Sequence, residues 1–372
     1  MTKKVLLATR PLIPPWDEAS KNFAYFLGKT VTAHSLTLMT GKGVDLVSLS
    51  PQARAVPVYD SSHFNFHAKC DFFSYLLRHR TSFDITHYLF TPTKWNTTIL
   101  KTFLKPSGKT VQTVATLRDD LYTDNDLKRL LFADRIVVYT DRSKKRLEDL
   151  GFTNVSRIYP GIDLNLYSPQ PKNETLLTEL GFAKNHFVVS YPGEYARLGA
   201  TDMLTESFIN HFQKNPETNL RFVFACRVKN ERDKAKKKGV YTRFEQAGLL
   251  DYVAFSDTIS DMAGLYNASD VIIFPVLDMK GKFDVPLIII EAYACGKPVI
   301  LSDLPQFLEF TNSDICVTIP KGQGEKLIDS LAYLKDNSAE RARLGENARR
   351  FVKDHFDLKN TAKQYEEIYS SL

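Results

Sequence analysis

The sequence predicts an α/β protein built from two doubly wound domains, and three observations support this prediction. Short apolar runs of strand length alternate along the chain with helix-length segments, which is the pattern of parallel sheets covered by helices. The stretch from Val271 to Ser302 contains this order in full: a strand, a loop, a helix and a second strand. With 372 residues, the chain is also long enough for two domains with separate cores.

The composition is ordinary for a globular protein, with 43% hydrophobic and 25% charged residues. The net charge of +6 fits a polyanionic substrate or an anionic membrane surface and is too small to predict nucleic-acid binding. The four cysteines are far apart and form no Cys-x-x-Cys pair, which indicates a reducing compartment. No apolar run approaches the roughly 18 residues of a membrane span. We therefore expect a cytoplasmic protein, with the cytoplasmic face of a membrane as the alternative location.

The first half of the chain begins with a buried strand, Val5 to Ala8, and a Pro-rich loop. A helix follows from about Lys21 to Thr30, with Ser20 predicted as its N-cap. Ser35 to Met39 and Val44 to Leu49 alternate either like paired strands or like a strand followed by a turn. Residues 63–83 are rich in aromatic side chains with a basic end. A core-facing helix is the favoured interpretation of 63–83, and an interfacial helix at a membrane is the alternative. Further strands are predicted at Asp84 to Phe90, Lys109 to Leu117 and Ala133 to Thr140.

Two loops of the second half run from a strand end to a helix start, at 192–199 and 275–286. Open α/β sheets bind ligands at such places, because strands end there and helix N-termini offer free N–H groups. The amides of Val285, Leu287 and Ile288 could hold phosphate oxygens in the second loop. Glu291 is a lone acid on the helix that follows. It is either a ligand-binding carboxylate or one held by a local partner. Other strands are predicted at Phe187 to Tyr191, Leu220 to Cys226, Tyr252 to Ser256 and Val299 to Ser302.

The run from Glu291 to Val299, EAYACGKPV, follows a Pro-containing strand end and a loop. It resembles the donor-binding signature of retaining glycosyltransferases of family 4, the glycosyl transferases group 1. Residues 158–169, with a Gly-Ile-Asp turn before Tyr-Ser-Pro, resemble the interdomain marker of that family. The resemblance is close from about residue 111 to 356 and weak before. It implies the GT-B fold, with two Rossmann-like domains facing across a cleft. The expected domains are 1–168 on the acceptor side and 169–355 on the nucleotide-sugar side. A C-terminal helix, about 356–372, is expected to pack back on the first domain.

The reaction that this resemblance implies moves a sugar from a nucleotide-sugar donor to an acceptor hydroxyl with retention of configuration. Amides and basic side chains would neutralise the leaving nucleoside diphosphate, so no metal and no cofactor besides the donor are expected. Expected partners are a nucleotide sugar, a sugar, polysaccharide or lipid-linked acceptor, and a membrane surface. The residues implied are Arg197 and Asp284 in catalysis, Glu291, Arg227, Lys229, Val285, Leu287, Ile288 and Phe255 in donor binding, and Glu18, Lys21 and Arg118 on the acceptor side.

Three positions depart from the pattern of the family. Phe283 replaces a second Glu of the signature, Glu194 replaces a basic residue, and Arg118 replaces a His. We predict that Asp284 contacts the donor sugar in place of the acid lost at Phe283. Capping of a helix that begins near Pro286 is the alternative role for Asp284. The departures favour a second hypothesis, a non-catalytic GT-B protein that binds a nucleotide sugar or a partner. A GT-B sugar-nucleotide epimerase is the third.

Overall fold

The computed structural model of the chain describes residues 1–14, 19–61, 63–90, 92–257, 259 and 261–372. These residues form two compact units. Unit 1 contains Met1–Gly161, Lys280–Val285 and Phe356–Leu372, and unit 2 contains Ile162–Met279 and Pro286–His355. The first break falls after Gly161 rather than after residue 168. The short segment 280–285 groups with unit 1, although unit 2 surrounds it in the sequence.

Unit 1 is a seven-stranded sheet in the order β3-β2-β1-β4-β5-β6-β7, and all its neighbouring strands are parallel. A parallel sheet needs helical crossovers, and its strands are therefore buried on both faces. The strands are β1 (Lys4–Leu12), β2 (Ser35–Gly41), β3 (Ala53–Tyr59), β4 (Ile85–Tyr88), β5 (Lys109–Val114), β6 (Arg135–Val138) and β7 (Val155–Arg157). The helices are α1 (Ala19–Thr30), α2 (Phe66–Arg78), α3 (Lys94–Phe103), α4 (Asp124–Leu130), α5 (Asp141–Asp149) and the C-terminal α13 (Leu358–Ser371).

Helix α13 is tied to the sheet of unit 1 through His87, which is fully buried in β4. Its Nδ1 lies 2.7 Å from the Tyr369 hydroxyl and its Nε2 2.7 Å from the Thr113 hydroxyl. Burial lowers the pKa of His87 to about 3, so the ring is neutral at physiological pH. At Gly161 a Cβ would lie 2.4 Å from the Cα of Leu358, so this position requires glycine. Residues far apart in the sequence thus fix the last helix of the chain on unit 1.

Unit 2 is a six-stranded parallel sheet in the order β10-β9-β8-β11-β12-β13. Its strands are β8 (Phe187–Tyr191), β9 (Leu220–Ala225), β10 (Val253–Ser256), β11 (Val271–Phe274), β12 (Val299–Ser302) and β13 (Val317–Ile319). Its α-helices are α6 (Glu174–Glu179), α7 (Thr201–Lys214), α8 (Glu231–Gln246), α9 (Met262–Ala268), α10 (Leu287–Ala294), α11 (Gly324–Asp336) and α12 (Ser338–His355). Short 3-10 helices cover Leu250–Tyr252 and Pro305–Phe310.

Two local features of unit 1 decide between or correct the sequence predictions. Of the two alternatives for 35–49, the strand followed by a turn is confirmed, because β2 ends at Gly41 and residues 44–49 contain no strand. The strand that pairs with β2 on its outer side is β3, which the sequence did not reveal. Its side chains are mostly exposed or half-buried, and it carries Pro57, which is tolerated in an edge strand. The prediction of Ser20 as an N-cap is wrong, because α1 already begins at Ala19.

Candidate functional site

The carboxyl edge of unit 2, meaning the edge where its parallel strands end, contains a topological switch point. From β8 the chain continues to β9 and β10 on one side, whereas β11, β12 and β13 lie on the other. The direction in which the chain adds strands therefore reverses between β8 and β11, which are neighbours in the sheet. A crevice opens at such a point, and open α/β sheets bind their ligands there. The loops after β8 and β11 are the two loops that the sequence singles out.

Glu291 lies on α10, the helix after β11, and two tyrosine hydroxyls hold its carboxyl group. Tyr266 donates to Glu291 Oε2 at 2.8 Å, and the hydroxyl of Tyr167 hydrogen-bonds the same carboxyl. Burial raises the pKa of Glu291 to about 7, against the opposing effect of these two hydrogen bonds. Glu291 thus has the local partners of a structural acid. The two bonds leave acceptor positions on the carboxylate, which has about four. Its role in donor binding stays a prediction.

The first turn of α10 has no side-chain cap. The helix follows Pro286, whose side chain makes no capping hydrogen bond, and it begins at Leu287. The N–H groups of Leu287 and Ile288 therefore lie in a first turn, where a helix provides them with no internal acceptor. Both side chains are half-buried, whereas Val285 is buried and belongs to unit 1. The first-turn N–H groups of Leu287 and Ile288 are suited to donate to a phosphate oxygen, which is the interaction predicted for them.

The loop after β8 contains a buried acid where the resembled family has a base. Glu194 is only 8% exposed, and its Oε1 lies 3.0 Å from Lys229 Nζ. Lys229 stands in the loop after β9 and was expected to contribute positive charge toward the donor, but this charge faces Glu194. Arg227, half-buried, precedes it in the same loop and forms a β-bridge with Glu194. Arg197 is exposed in the loop after β8. The structure thus brings the three predicted basic side chains to one edge of unit 2.

Phe255 lies near the end of β10, also at the carboxyl edge of unit 2. Its ring stacks on Phe224 with centroids 5.5 Å apart and an interplanar angle of 5°. Tyr241 also packs against Phe255, and the centroids of these two rings are 5.6 Å apart. The residue is half-buried, so these contacts fix the backbone of 255–257 at the edge of the sheet. That backbone is the part predicted to flank a nucleotide base.

Asp284 is anchored inside unit 1 by atoms from two distant parts of the sequence. Its carboxylate accepts from the Leu117 amide at 3.2 Å and from the Ser143 hydroxyl at 2.8 Å, and its own amide donates to Ala115 O at 2.9 Å. Burial raises the pKa of Asp284 to about 7. The capping role considered for Asp284 is wrong, because α10 begins at Leu287 and no side chain caps it. Contact with the donor sugar stays a prediction.

Phe283 lines a cavity of about 150 Å³ at the carboxyl edge of unit 1. Its ring lies 5.0 Å from that of Tyr139, in the position where the resembled family has an acid. Arg10, Phe23 and Thr113 are among the other lining residues. The lining of the cavity therefore combines aromatic rings with a guanidinium and a few hydroxyl groups. Its volume has room for a small chemical group.

The residues predicted on the acceptor side all belong to unit 1, and the structure describes two of the three. Arg118 makes a two-pronged pair with Asp120, with Nε to Oδ1 at 2.8 Å and Nη2 to Oδ2 at 3.1 Å. Lys21 is buried, and its ammonium donates to the Ile13 carbonyl at 3.2 Å. Glu18 lies outside the described residues. The structure thus gives Arg118 and Lys21 protein partners, and their role toward an acceptor stays a prediction.

The described part of the chain contains neither a cluster of metal ligands nor a helix that could span a membrane. Within residues 1–14, 19–61, 63–90, 92–257, 259 and 261–372, no group of three or more His, Cys, Asp or Glu side chains is placed to hold a metal ion. No helix in these ranges has the length and apolar character needed to cross a bilayer.

Sequence reasoning missed the groups that hold the two acids. The sequence does not indicate that Tyr167 and Tyr266 hydrogen-bond Glu291, or that Ser143 hydrogen-bonds Asp284. Tyr167 stood in a recognised motif, the Tyr-Ser-Pro run after the Gly-Ile-Asp turn. A hydroxyl-bearing aromatic residue in such a motif is a signal that could have been followed. Tyr266 and Ser143 lie on ordinary helices, where nothing local distinguishes them.

We predict that these two acids make stability decrease with pH. Both have a pKa of about 7 in the folded chain, above their ordinary values of 4.5 for Glu291 and 3.8 for Asp284. As the pH rises from about 4 to about 7, the unfolded chain loses the two protons first, so the free energy of unfolding falls and then levels off. The melting temperature of the double variant Glu291→Gln, Asp284→Asn should therefore fall less over this window than that of the wild type. Parallel curves for the two proteins would contradict the raised pKa values.

Comparison with known proteins finds a family that most of unit 2 resembles. Residues 186–337 match the family described as Glycosyl transferases group 1. D-inositol 3-phosphate glycosyltransferase of Corynebacterium kroppenstedtii is 26% identical over 256 residues, which cover 64% of this chain and 53% of that protein. The protein of the same name from Corynebacterium glutamicum is 24% identical over 270 residues, which cover 68% and 62%. The chain thus spans less than two thirds of the length of these relatives.

Solved structures similar to this one cover the whole chain. Anabaena HepE in complex with UDP and glucose gives a TM-score of 0.76 at 17% identity and covers 100% of both chains. Sucrose-phosphate synthase from Thermosynechococcus elongatus gives a TM-score of 0.76 at 18% identity, over 99% of this chain and 98% of that chain. At such low identity the likeness shows the fold. The GT-B fold expected from the sequence, with two doubly wound domains, is confirmed.

Proposed function

Residues 186–337 match the family described as Glycosyl transferases group 1, and from this match we propose that the chain moves a sugar from a nucleotide-sugar donor to an acceptor hydroxyl with retention of configuration. One observation supports the proposal most. Glu291 lies beside the switch point of unit 2 on a helix whose first turn has no side-chain cap. A nucleoside diphosphate requires a carboxylate that accepts from its ribose hydroxyls and a helix N-terminus whose N–H groups donate to its phosphate oxygens.

In the proposed reaction the bond between the anomeric carbon and the diphosphate oxygen breaks, and the acceptor oxygen bonds to that carbon. The proton of the acceptor hydroxyl passes to the leaving diphosphate. Negative charge grows on the leaving diphosphate in the transition state. The amides of Leu287 and Ile288 and the guanidinium of Arg197 are the groups at this edge of unit 2 that would stabilise it. Lys229 contributes less net charge, because it faces Glu194 at 3.0 Å. Arg227 remains the second basic residue in this role.

For the donor we propose a uridine diphosphate sugar, because the similar structure of Anabaena HepE was solved with UDP and glucose. For the acceptor we propose a hydroxyl of a sugar, polysaccharide or lipid-linked glycan. The names of the curated relatives add D-inositol 3-phosphate as a first compound to try. Thermal shift with a panel of nucleotide sugars would rank the donors, since a ligand that binds only the folded state raises the melting temperature.

Retention has a direct test in the stereochemistry of the product. Proton NMR of the product formed from an α-linked donor should show an α-linkage at the transferred sugar. The linkage is read from the coupling constant between the anomeric proton and the proton on the next ring carbon. A β-linked product would contradict the retaining mechanism and would leave the donor-binding proposal intact. The assay uses the complete chain, because both units contain predicted site residues.

We predict that Arg197→Ala reduces turnover more than it weakens donor binding. The leaving-group charge is largest in the transition state, so a group that neutralises it acts mainly on kcat. Steady-state kinetics together with calorimetric binding of UDP would separate the two effects. Lys214→Ala, at the far end of α7, is the matched control and should change neither quantity. Equal losses in kcat and affinity would make Arg197 a binding residue only, and no loss would transfer the role to Arg227.

The second candidate function is a catalytically degenerate GT-B protein that binds a nucleotide sugar or a partner. The ion pair between Glu194 and Lys229 favours it, because an acid stands where the family uses a base. Phe283 favours it too, since its ring contacts Tyr139 and cannot accept a hydrogen bond. Such a protein would show a thermal shift with nucleotide sugars and would release no nucleoside diphosphate with any acceptor.

We also propose a cytoplasmic location. Cys70, Cys226, Cys295 and Cys316 are all free thiols. Free thiols are typical of proteins that remain in a reducing compartment. Fractionation of cells that express the chain would test this location.

A further inference from the structure

Helix α2 of unit 1 is apolar on two opposite faces, and the protein covers only one of them. Ala68, Phe72 and Leu76 are buried against the sheet. On the outer face, Phe66 is 74% and Leu77 is 51% exposed. Cys70, which is exposed, lies on the same outer face, because positions i, i+4 and i+11 of a helix share a face. Phe73, half-buried, packs against the core cluster and is not part of this face. The outer stripe of α2 therefore needs an explanation that core packing does not give.

Helix α3 repeats this arrangement. Thr97 and Leu100 face the core, whereas Trp95 is 81% and Phe103 is 69% exposed. The ten residues of α3 include Lys94 and Lys101 and no acidic side chain. A tryptophan that stands out in solvent beside lysines is unusual for a surface that only contacts water.

The two helices lie on the same side of the sheet. Helix α2 connects β3 to β4 and α3 connects β4 to β5, so both crossovers run in the same direction across the sheet. Right-handed crossovers in one direction place their helices on one face. Residues of both helices also pack into one hydrophobic cluster, including Phe72 and Leu100. The exposed side chains of Phe66, Leu77, Trp95 and Phe103 thus belong to two helices on one side of the sheet, and together they are called here the α2–α3 surface.

The charges around the α2–α3 surface are almost all positive. Lys69, Arg78, Lys101 and Lys105 are exposed, and the described part of the chain provides no ion-pair partner for these four. Lys94 is paired with Asp126 at 2.8 Å. Asp71 is the one acid within the two helices, and it is half-buried. Aromatic side chains flanked by Lys and Arg are complementary to one kind of partner in particular, the headgroup and upper acyl region of an anionic bilayer.

We propose that the α2–α3 surface docks on an anionic lipid bilayer and lies in its interface. Phe66 and Trp95 occupy the first turns of their helices, which puts them at the carboxyl edge of unit 1, where β3 and β4 end. The cavity lined by Phe283 opens at that same edge. Docking would thus bring lipid-linked hydroxyls toward this cavity. That consequence depends on the proposed function, whereas docking itself does not.

The first test follows the fluorescence of Trp95. The chain has two tryptophans, Trp16 and Trp95, so the variant Trp16→Phe leaves Trp95 as the only one. Its emission should shift to shorter wavelength with vesicles of phosphatidylcholine and phosphatidylglycerol, and should not shift with phosphatidylcholine alone. Added salt should reverse the shift, because the basic side chains act through screened electrostatic attraction. No shift with anionic vesicles, or equal shifts with both kinds, would overturn the proposal.

The second test measures vesicle co-sedimentation of variants of the complete chain. Phe66→Ser with Trp95→Ser removes the two aromatic contacts, and Lys101→Glu with Lys105→Glu reverses two charges. Each pair should weaken binding to anionic vesicles by about tenfold or more. The matched control replaces Leu308 and Tyr333 of unit 2 by Ser, since these are 72% and 55% exposed, and it should bind like the wild type.

Circular dichroism and melting curves would establish that each variant is folded before its binding is compared. Equal loss of vesicle binding in the control pair would overturn the assignment to the α2–α3 surface. Sedimentation velocity would show whether this surface instead joins two copies of the chain. A dimer that dissociates in the Phe66→Ser, Trp95→Ser variant, without vesicle binding by the wild type, would likewise overturn it.

Discussion

Replacing Glu291 by Gln is expected to weaken the binding of UDP by about tenfold or more and to leave the fold intact. A hydrogen bond to a charged group contributes about 1.5–3 kcal/mol, and the carboxylate would accept from two ribose hydroxyls. A Gln offers one acceptor oxygen, and its amide group can still bond the hydroxyls of Tyr167 and Tyr266. Calorimetric titration of UDP into both proteins measures the loss.

The matched control is Tyr266→Phe. It removes the 2.8 Å hydrogen bond to Glu291 and leaves the carboxylate itself in place. We expect a smaller loss of UDP affinity than in Glu291→Gln, because ribose contacts remain. If Glu291→Gln binds UDP normally and melts at a much lower temperature, Glu291 is a structural acid and its proposed role is wrong.

The pKa of Glu291 adds a pH dependence to the same measurement. With a pKa of about 7, the carboxyl loses acceptor capacity as it gains a proton below that pH. Ribose binding should therefore weaken as the pH falls from 8 to about 6. Uridine is the suitable probe, because the phosphate groups of UDP titrate in the same range. Glu291→Gln should bind uridine with an affinity that does not change over this range.

Replacing Asp284 by Asn is expected to lower turnover by about ten- to a hundredfold with near-normal stability. The Asn oxygen can accept from the Leu117 amide and its amide group can donate to the Ser143 hydroxyl, so the anchor inside unit 1 survives. What the variant loses is a charged acceptor for a sugar hydroxyl, worth about 1.5–3 kcal/mol. Steady-state kinetics and melting curves of wild type and variant give both quantities.

Ser143→Ala is the control for this prediction. It removes the 2.8 Å hydrogen bond that helps to hold Asp284 and leaves the carboxylate available to a substrate. If this control lowers turnover as strongly as Asp284→Asn, Asp284 acts by holding the segment 280–285 in place and does not touch the sugar. Full activity of Asp284→Asn would exclude the sugar contact.

The sequence predicted the buried strands well and the exposed ones poorly. The bounds of β8 and β12 agree residue for residue, because each is a run of apolar and β-branched residues that pack on both faces. Strand β3 at the edge of its sheet was missed, since most of its side chains are exposed or half-buried and its short apolar run is interrupted by Pro57. A regular apolar pattern arises where side chains are buried, and an edge strand buries few of them.

In the candidate site, a residue could be predicted when one local stretch of sequence contains the evidence for it. A residue could not be predicted when its contacts come from distant parts of the chain. The helix with Glu291 follows from a contiguous run of residues. The position of Asp284 within unit 1 depends on Leu117 and Ser143, more than a hundred residues earlier in the chain. The pairing of Glu194 with Lys229 likewise joins two loops. Such contacts arise from strand order, which a single sequence does not display.

The most direct test of the proposed activity is release of nucleoside diphosphate from a nucleotide sugar by the complete chain, measured with and without an acceptor. We expect slow release from one uridine diphosphate sugar alone, and release at least about tenfold faster once a suitable acceptor hydroxyl is present. The Glu291→Gln variant should lose most of the faster rate. A chain that binds the same nucleotide sugars, with a clear rise in melting temperature, and releases no nucleoside diphosphate with any acceptor would contradict the assignment as a glycosyltransferase.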